Sequence, residues 1–222
     1  MDKTIKITGV GRISKAPDLT VVSLHVTKTV PTYAEALETA SKDVRILKDS
    51  LEKAGLERKS IKTTHFEVEM DYEGYYDKEH NYHRTFKGYQ YVQNFRIEFG
   101  IDNKLLGKVL FNISHLPIDP EITIRYEIKD IQVAKDELLA NAVKDATKKA
   151  NIIADSAGVT IDGVIEINYS WSTMEFYSRS MNFKYCNRAM TSPKIKEDTY
   201  DVDIEPEDIE KSDSVTIIFA IK

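Results

Sequence analysis

Apolar residues return at every second position in segment after segment of this chain, and that rhythm limits its folds more than any other feature. A period of two sends side chains alternately to the two faces of a strand, so each such run needs sheet neighbours and a cover for its apolar face. Ile5 and Ile7 alternate with polar residues, and Leu19 to Val26 alternates and is rich in β-branched residues. The turn Ala16-Pro17-Asp18 lies between them, so the two runs are predicted to pair as a hairpin. Gly9 and Gly11 mark a bulge or a close backbone approach in the first run. Ile61 to Met70 and Gly88 to Phe99 form a second predicted hairpin, with its tip near Gly74 and Arg84. Ile122 to Ile128, Val164 to Tyr169 and Val215 to Ile221 read as further strands, with a short one from Asp198 to Ile204.

Three segments change to helical spacing. Thr32 with Glu35 makes a capping box for a helix from about Tyr33 to Ala54, with Ala34, Leu37, Ala40, Val44, Leu47, Leu51 and Ala54 as its apolar stripe and Gly55 beyond its end. Asn103 to His115 is a shorter helix, followed by Pro117 and Pro120. Ile131 to Ala157 is the strongest, with Leu139, Val143, Ala146, Ala150, Ile153 and Ala157 at steps of three and four and Gly158 after it. Its many alanines permit close approach to a sheet or another helix. The class is therefore α+β: antiparallel sheets with two long helices and one short helix packed on them. Strand-helix-strand-strand from Leu19 to Phe99 echoes the order from Ile122 to Ile221, which fits a duplicated β-α-β-β unit.

At 222 residues the chain suffices for one large domain or two small ones, and sub-lobes at 1–100 and 101–222 are the natural cut. A net charge of −5, with both signs interspersed and no basic stripe, argues against nucleic acid as a partner. The single cysteine, Cys186, cannot form a disulfide within the chain and reads as a spare thiol. The N-terminal residues alternate at once, without the apolar run of a secretory signal, and no stretch approaches the ~20 apolar residues of a membrane span. The expectation is a cytoplasmic protein as the sequence stands, and a periplasmic or envelope protein if a signal has been trimmed.

Several segments together resemble the SIMPL-domain family. They are Ile7-Thr8-Gly9-Val10-Gly11-Arg12 with Ala16-Pro17-Asp18, then Gly88-Tyr89-Gln90-Tyr91-Val92-Gln93-Asn94, then Leu139 to Ala150 with Ile153-Ala154 and Ala157-Gly158, and finally Pro206-Glu207-Asp208-Ile209. The resemblance covers nearly the whole chain and implies a single SIMPL-like domain over 1–222. It implies an α+β fold that tends to assemble into large oligomers, and an envelope or stress role. It supplies no catalytic residues and no cofactor. The chain departs from the family in lacking an export signal and in its longer aromatic loops, around Tyr75–Phe86 and Phe176–Met190.

Candidate sites follow from the loops. Glu79, His80 and His83, with Asp77 nearby, have the imidazole and carboxylate groups of a divalent-metal site or a metal-dependent enzyme, though no fourth ligand is evident. Gly9-x-Gly11 lacks the third glycine and the following helix of a phosphate loop. No catalytic motif is present, and the acids from Glu197 to Asp213 read as a solvated face. Tyr75, Tyr76, Tyr82 and Phe86, and Trp171, Phe176, Tyr177 and Phe183, are the interaction candidates, since aromatic residues are enriched at interfaces. Free sheet edges offer a second route to an interface. The leading reading is a non-catalytic protein that forms homo-oligomers. The alternatives are a small-ligand or peptide binding module with a groove between helix and sheet, and a metal-dependent enzyme using the His80/His83 loop.

Overall fold

The alternating runs become strands of two antiparallel sheets, in a computed structural model that describes residues 3–170, 174–183 and 204–222. In chain order the elements are β1 (Thr4–Lys15), β2 (Leu19–Val30), α1 (Tyr33–Lys53), β3 (Ile61–Tyr76), β4 (Tyr82–Gly100), α2 (Asn103–Ser114), β5 (Glu121–Glu127), α3 (Ile131–Ala157), β6 (Ile161–Asn168), β7 (Met181–Phe183) and β8 (Ile209–Ile221). One sheet has the order β1-β8-β6, the other β3-β4-β2-β5-β7. The fold is α+β, as the alternation requires.

The chain divides into two compact units that are not successive halves. The first comprises residues 1–18, 126–178 and 206–222, and the second residues 19–125 and 179–205. β1 and β2 do not form the hairpin that the turn between them suggests. β1 pairs with β8 from Thr4↔Ala220 to Lys15↔Ile209, and β2 pairs with β4 from Leu19↔Gly100 to Val30↔Tyr89. The turn residue Asp18 is tied elsewhere: its N–H donates to the Glu127 carbonyl at 3.1 Å and its carboxylate accepts from the Lys129 N–H at 2.7 Å, and β1 and β2 then find their partners at distant points in the sequence. The two β-α-β-β runs are also paired differently: β5 lies in the five-stranded sheet, while β6 and β8 lie in the other. Of the short strand expected from Asp198 to Ile204, all but its last residue lies outside the described residues, as does Cys186.

In the second unit α1 starts at the capping box: Thr32 Oγ1 accepts from Glu35 N–H, and the Glu35 carboxylate accepts from Thr32 N–H. Its buried row is Ala36, Ala40, Asp43, Leu47 and Leu51, rotated from the predicted stripe; Leu37 is 39% exposed. The buried carboxylate accounts for the rotation. Asp43 accepts a hydrogen bond from the Tyr91 hydroxyl of β4. Burial and the adjacent carboxylate push the Tyr91 hydroxyl far above its ordinary value.

In the first unit α3 lies on β1 and β8. Its buried row is Ala134, Leu138, Ala142, Ala146, Ala150 and Ala154, which shares Ala146 and Ala150 with the predicted stripe and lies one position from Leu139, Val143 and Ile153. Gly9 and Gly11 explain the choice. A Cβ on Gly9 would collide with the Ala142 carbonyl oxygen and Ala146, and one on Gly11 with the Leu138 carbonyl oxygen. Only a row of small side chains can meet a strand at that distance. The larger Ile152 and Ile153 are turned outward. Gly158, in the left-handed region at φ 69°, ends the helix.

Candidate functional site

Where the binding-module reading expects a groove between helix and sheet, α1 buries Ala36, Ala40, Leu47 and Leu51, and the glycines bring β1 against α3. Among the described residues, the hairpin of β3 and β4 and one edge of the three-stranded sheet are two surfaces with exposed apolar side chains.

The hairpin gathers the first set of predicted interaction residues. Tyr33, Tyr89, Phe86 and Tyr72 form a chain of edge-on contacts with centroids 5.8, 5.5 and 5.6 Å apart, and the Arg84 guanidinium stands 4.7 Å over the Tyr72 ring. Nearer the tip, Tyr75 stacks on His83 at 5.4 Å and Tyr76 meets Tyr82 at 5.2 Å. These rings touch one another and still face water: Tyr76 is 71% exposed and Tyr82 58%.

Of the second aromatic set, the side chains of Phe176 and Tyr177 are among those described. Phe176 is buried among Ile13, Ile128, Ala134, Leu138 and Ile209, so it belongs to the core and is corrected from an interaction residue to a packing one. Tyr177 is half-buried, with its hydroxyl donating to Glu175 at 2.6 Å. Trp171 and the side chain of Phe183 lie outside the described residues.

The proposed metal loop has another organiser. One Asp77 carboxylate oxygen accepts from the backbone N–H groups of Glu79 and Asn81, both at 2.9 Å, and the other accepts from His83 Nε2 at 2.7 Å. The His83 contact, then the backbone N–H of Asn81, hold the Asp77 carboxyl below the usual range. Glu79 and His80 are not drawn into this cluster by their side chains. Among the described residues no group of three or more His, Cys, Asp or Glu is arranged to hold a metal ion. The acidic residue and the histidine shape the turn, with His80 in the left-handed region at φ 64°.

The sheet edges differ sharply. In the order β1-β8-β6, both outer strands have one side without a strand partner among the described residues. Along β1 that side is filled by α3. The Asn141 amide donates to the Arg12 carbonyl (3.2 Å), the Val10 N–H donates to the Asp145 carboxylate (2.7 Å), and the Lys149 ammonium donates to the Thr8 carbonyl (3.3 Å). Lys15 continues the row by pairing with Glu137 at 2.6 Å. The match is geometric: four helical residues rise about 6 Å, close to the roughly 6.7 Å of two strand residues. The Lys149 ion pair, then the Val10 N–H, hold the Asp145 carboxyl below its ordinary range.

β6 has no such cover among the described residues. None of its residues is buried, and Val164, Ile165 and Ile167 are 54, 55 and 56% exposed. Register shifts at Ile161/Gly163 and Val164/Glu166 turn two consecutive aliphatic side chains to solvent. α3, which touches β6, adds Ile152 and Ile153 at 55 and 44% exposure. A sheet edge with free backbone groups and exposed aliphatic side chains is a template for another strand.

The model of the SIMPL family, described as a protein of unknown function (DUF541), matches residues 5–219. The 26 kDa periplasmic immunogenic proteins of Brucella abortus (strain S19) and Brucella melitensis biotype 1 (strain ATCC 23456 / CCUG 17765 / NCTC 10094 / 16M) are each 25% identical over 164 residues, which is 74% of this chain. That match spans 65% of the length of each Brucella protein. Among the described residues no helix is long and apolar enough to cross a membrane.

Proposed function

We propose, from the premise that this chain belongs to the SIMPL family, that it is a self-assembling protein whose subunits join by strand addition at β6, with the aromatic hairpin of β3 and β4 as a second contact. The observation that carries the reading is the unequal finish of one sheet: α3 fills the edge of β1, and among the described residues nothing covers the edge of β6. Pairing at β6 would satisfy backbone donors and acceptors and remove Val164, Ile165 and Ile167 from water together. The exposed Tyr75, Tyr76, Tyr82 and Phe86 offer rigid apolar area at low entropic cost, as aromatic contacts at interfaces do.

The role is structural, not catalytic, and lies in the cell envelope. The names of the Brucella relatives support a periplasmic location, and the stress association rests on the family resemblance. The test is the absolute mass in solution by light scattering over a range of concentrations. A defined multiple of the chain mass is expected. A monomer at every concentration would overturn the proposal.

A further inference from the structure

The five-stranded sheet of the second unit has a face that α1 does not cover. Alternation along β4 sends Tyr91, Phe95 and Ile97 into the core, and Asn94 and Arg96 to the opposite side. Register then sets side chains of three strands in one row there: His65 of β3 is opposite Asn94 of β4, which is opposite His25 of β2. A cleft of about 360 Å³ opens on this face, lined by Ser23, His25, Thr64, Asn94, Arg96 and Thr123 from four adjacent strands. Its size is within the range of small-molecule sites.

The chemistry of the lining is specific. The His25 ring is held at both nitrogens: Nδ1 donates to Asn94 Oδ1 at 2.7 Å, and Nε2 accepts from the Thr27 hydroxyl at 3.0 Å. This fixes the Asn94 amide and leaves both its N–H donors for the cleft. The Thr123 hydroxyl donates to Asn182 at 2.9 Å and keeps its acceptor lone pairs. Ser23 adds a half-buried hydroxyl, and Thr64 an exposed one that donates to the Asn94 carbonyl at 3.4 Å and likewise keeps its lone pairs. The Arg96 guanidinium is already engaged by Glu98, and Glu121 stands at the rim, so the site offers no net attraction to an anion. Leu24 and Phe95 direct their side chains to the core, so no apolar platform enters the cleft. A ligand that suits this lining presents both donors and acceptors toward the sheet and carries no negative charge.

We infer that this cleft binds a small neutral polyhydroxylated molecule, a sugar or polyol, with Asn94 as the central donor and Ser23, Thr64 and Thr123 completing the hydrogen bonds. The site uses none of the β6 residues or hairpin aromatics assigned to assembly and does not depend on that reading.

Saturation-transfer NMR on the full chain, in whatever assembly it forms, tests the inference with glucose and inositol as probes and glucuronate as the charged control. Saturable binding of at least one neutral probe is expected, with glucuronate weaker. Asn94→Ala should weaken the neutral probe about tenfold or more, the loss of a hydrogen bond and the ordering it gives. Ser23→Ala should weaken it by a smaller factor at the wild-type thermal midpoint, and it keeps the test sound because Asn94→Ala also removes the hydrogen bond to His25. Failure of both neutral probes to saturate, tighter binding of glucuronate, or binding unchanged in both variants would overturn it.

Discussion

The two open edges of the three-stranded sheet differ in what lies beside them. β1 has a long helix along its flank whose polar row, Glu137, Asn141, Asp145 and Lys149, meets the strand at Lys15, Arg12, Val10 and Thr8. β6 has solvent, with Val164, Ile165 and Ile167 more than half exposed. A protein that remained monomeric would gain by blunting both edges, with charge, cover or brevity. This chain invests a helix face, two glycines and a run of alanines in one edge and leaves the other open. Edge protection among the described residues is thus local and selective, and the proposed strand addition would fall on one side of the sheet.

The largest effect should come from removing the close contact on which the β1 cover depends. Gly9→Val places a branched side chain against the Ala142 carbonyl and Ala146. Overpacking of this kind costs roughly 3 kcal/mol. Urea unfolding should show the midpoint falling by a corresponding amount; a variant as stable as the wild type would mean that α3 does not need to approach so closely.

A smaller effect is expected from removing the polar row while keeping the packing. In Asn141→Ala/Asp145→Ala/Lys149→Ala the core alanines remain, and three backbone groups of β1 lose their partners. The loss of stability should be less than in Gly9→Val. The more telling readout is mass: with a second edge open, the protein should form larger and less uniform species. An unchanged mass distribution would show that β1 is protected by something other than these side chains.

The smallest effect concerns pH. Asp145 has its folded value depressed by Lys149 and the Val10 N–H. Its contribution is therefore full above the ordinary carboxylate value of about 3.9 and is lost as pH falls through the lower folded value. The thermal midpoints of the wild type and Asp145→Asn should differ near pH 6 and converge below about pH 4. A gap that stays constant across this window would remove Asp145 as a titrating lock.

Much of the architecture was legible because alternation and helical spacing are local signals. The capping box of α1, the end of α3 at Gly158, the close approach at Gly9 and Gly11, and the aromatic hairpin all followed from neighbouring residues. The pairing of β3 with β4 was legible, but that of β1 was not, since it joins the last strand of the chain and the nearby turn points elsewhere. The α3 stripe was right at Ala146 and Ala150 and one position off at Leu139, Val143 and Ile153, because size ranks these above alanine, whereas the glycine of β1 at Gly9 brings the strand against Ala142 and Ala146. Asp43 was missed because a carboxylate amid apolar positions reads as a solvated residue until Tyr91 is seen beside it. Asn141, Asp145 and Lys149 escaped for a similar reason. Their spacing of four is a signal, but it looks the same on a face bathed in water.

The most direct measurement is the solution mass of Ile165→Lys compared with the wild type, by light scattering after size-exclusion chromatography. An exposed substitution of this kind should change stability by no more than about 0.5 kcal/mol, so any change in mass reports on the edge itself. The account predicts that the wild type runs as an oligomer and that Ile165→Lys runs as a folded monomer or a smaller species. An oligomer of wild-type size in the variant would contradict the claim that β6 is the joining edge.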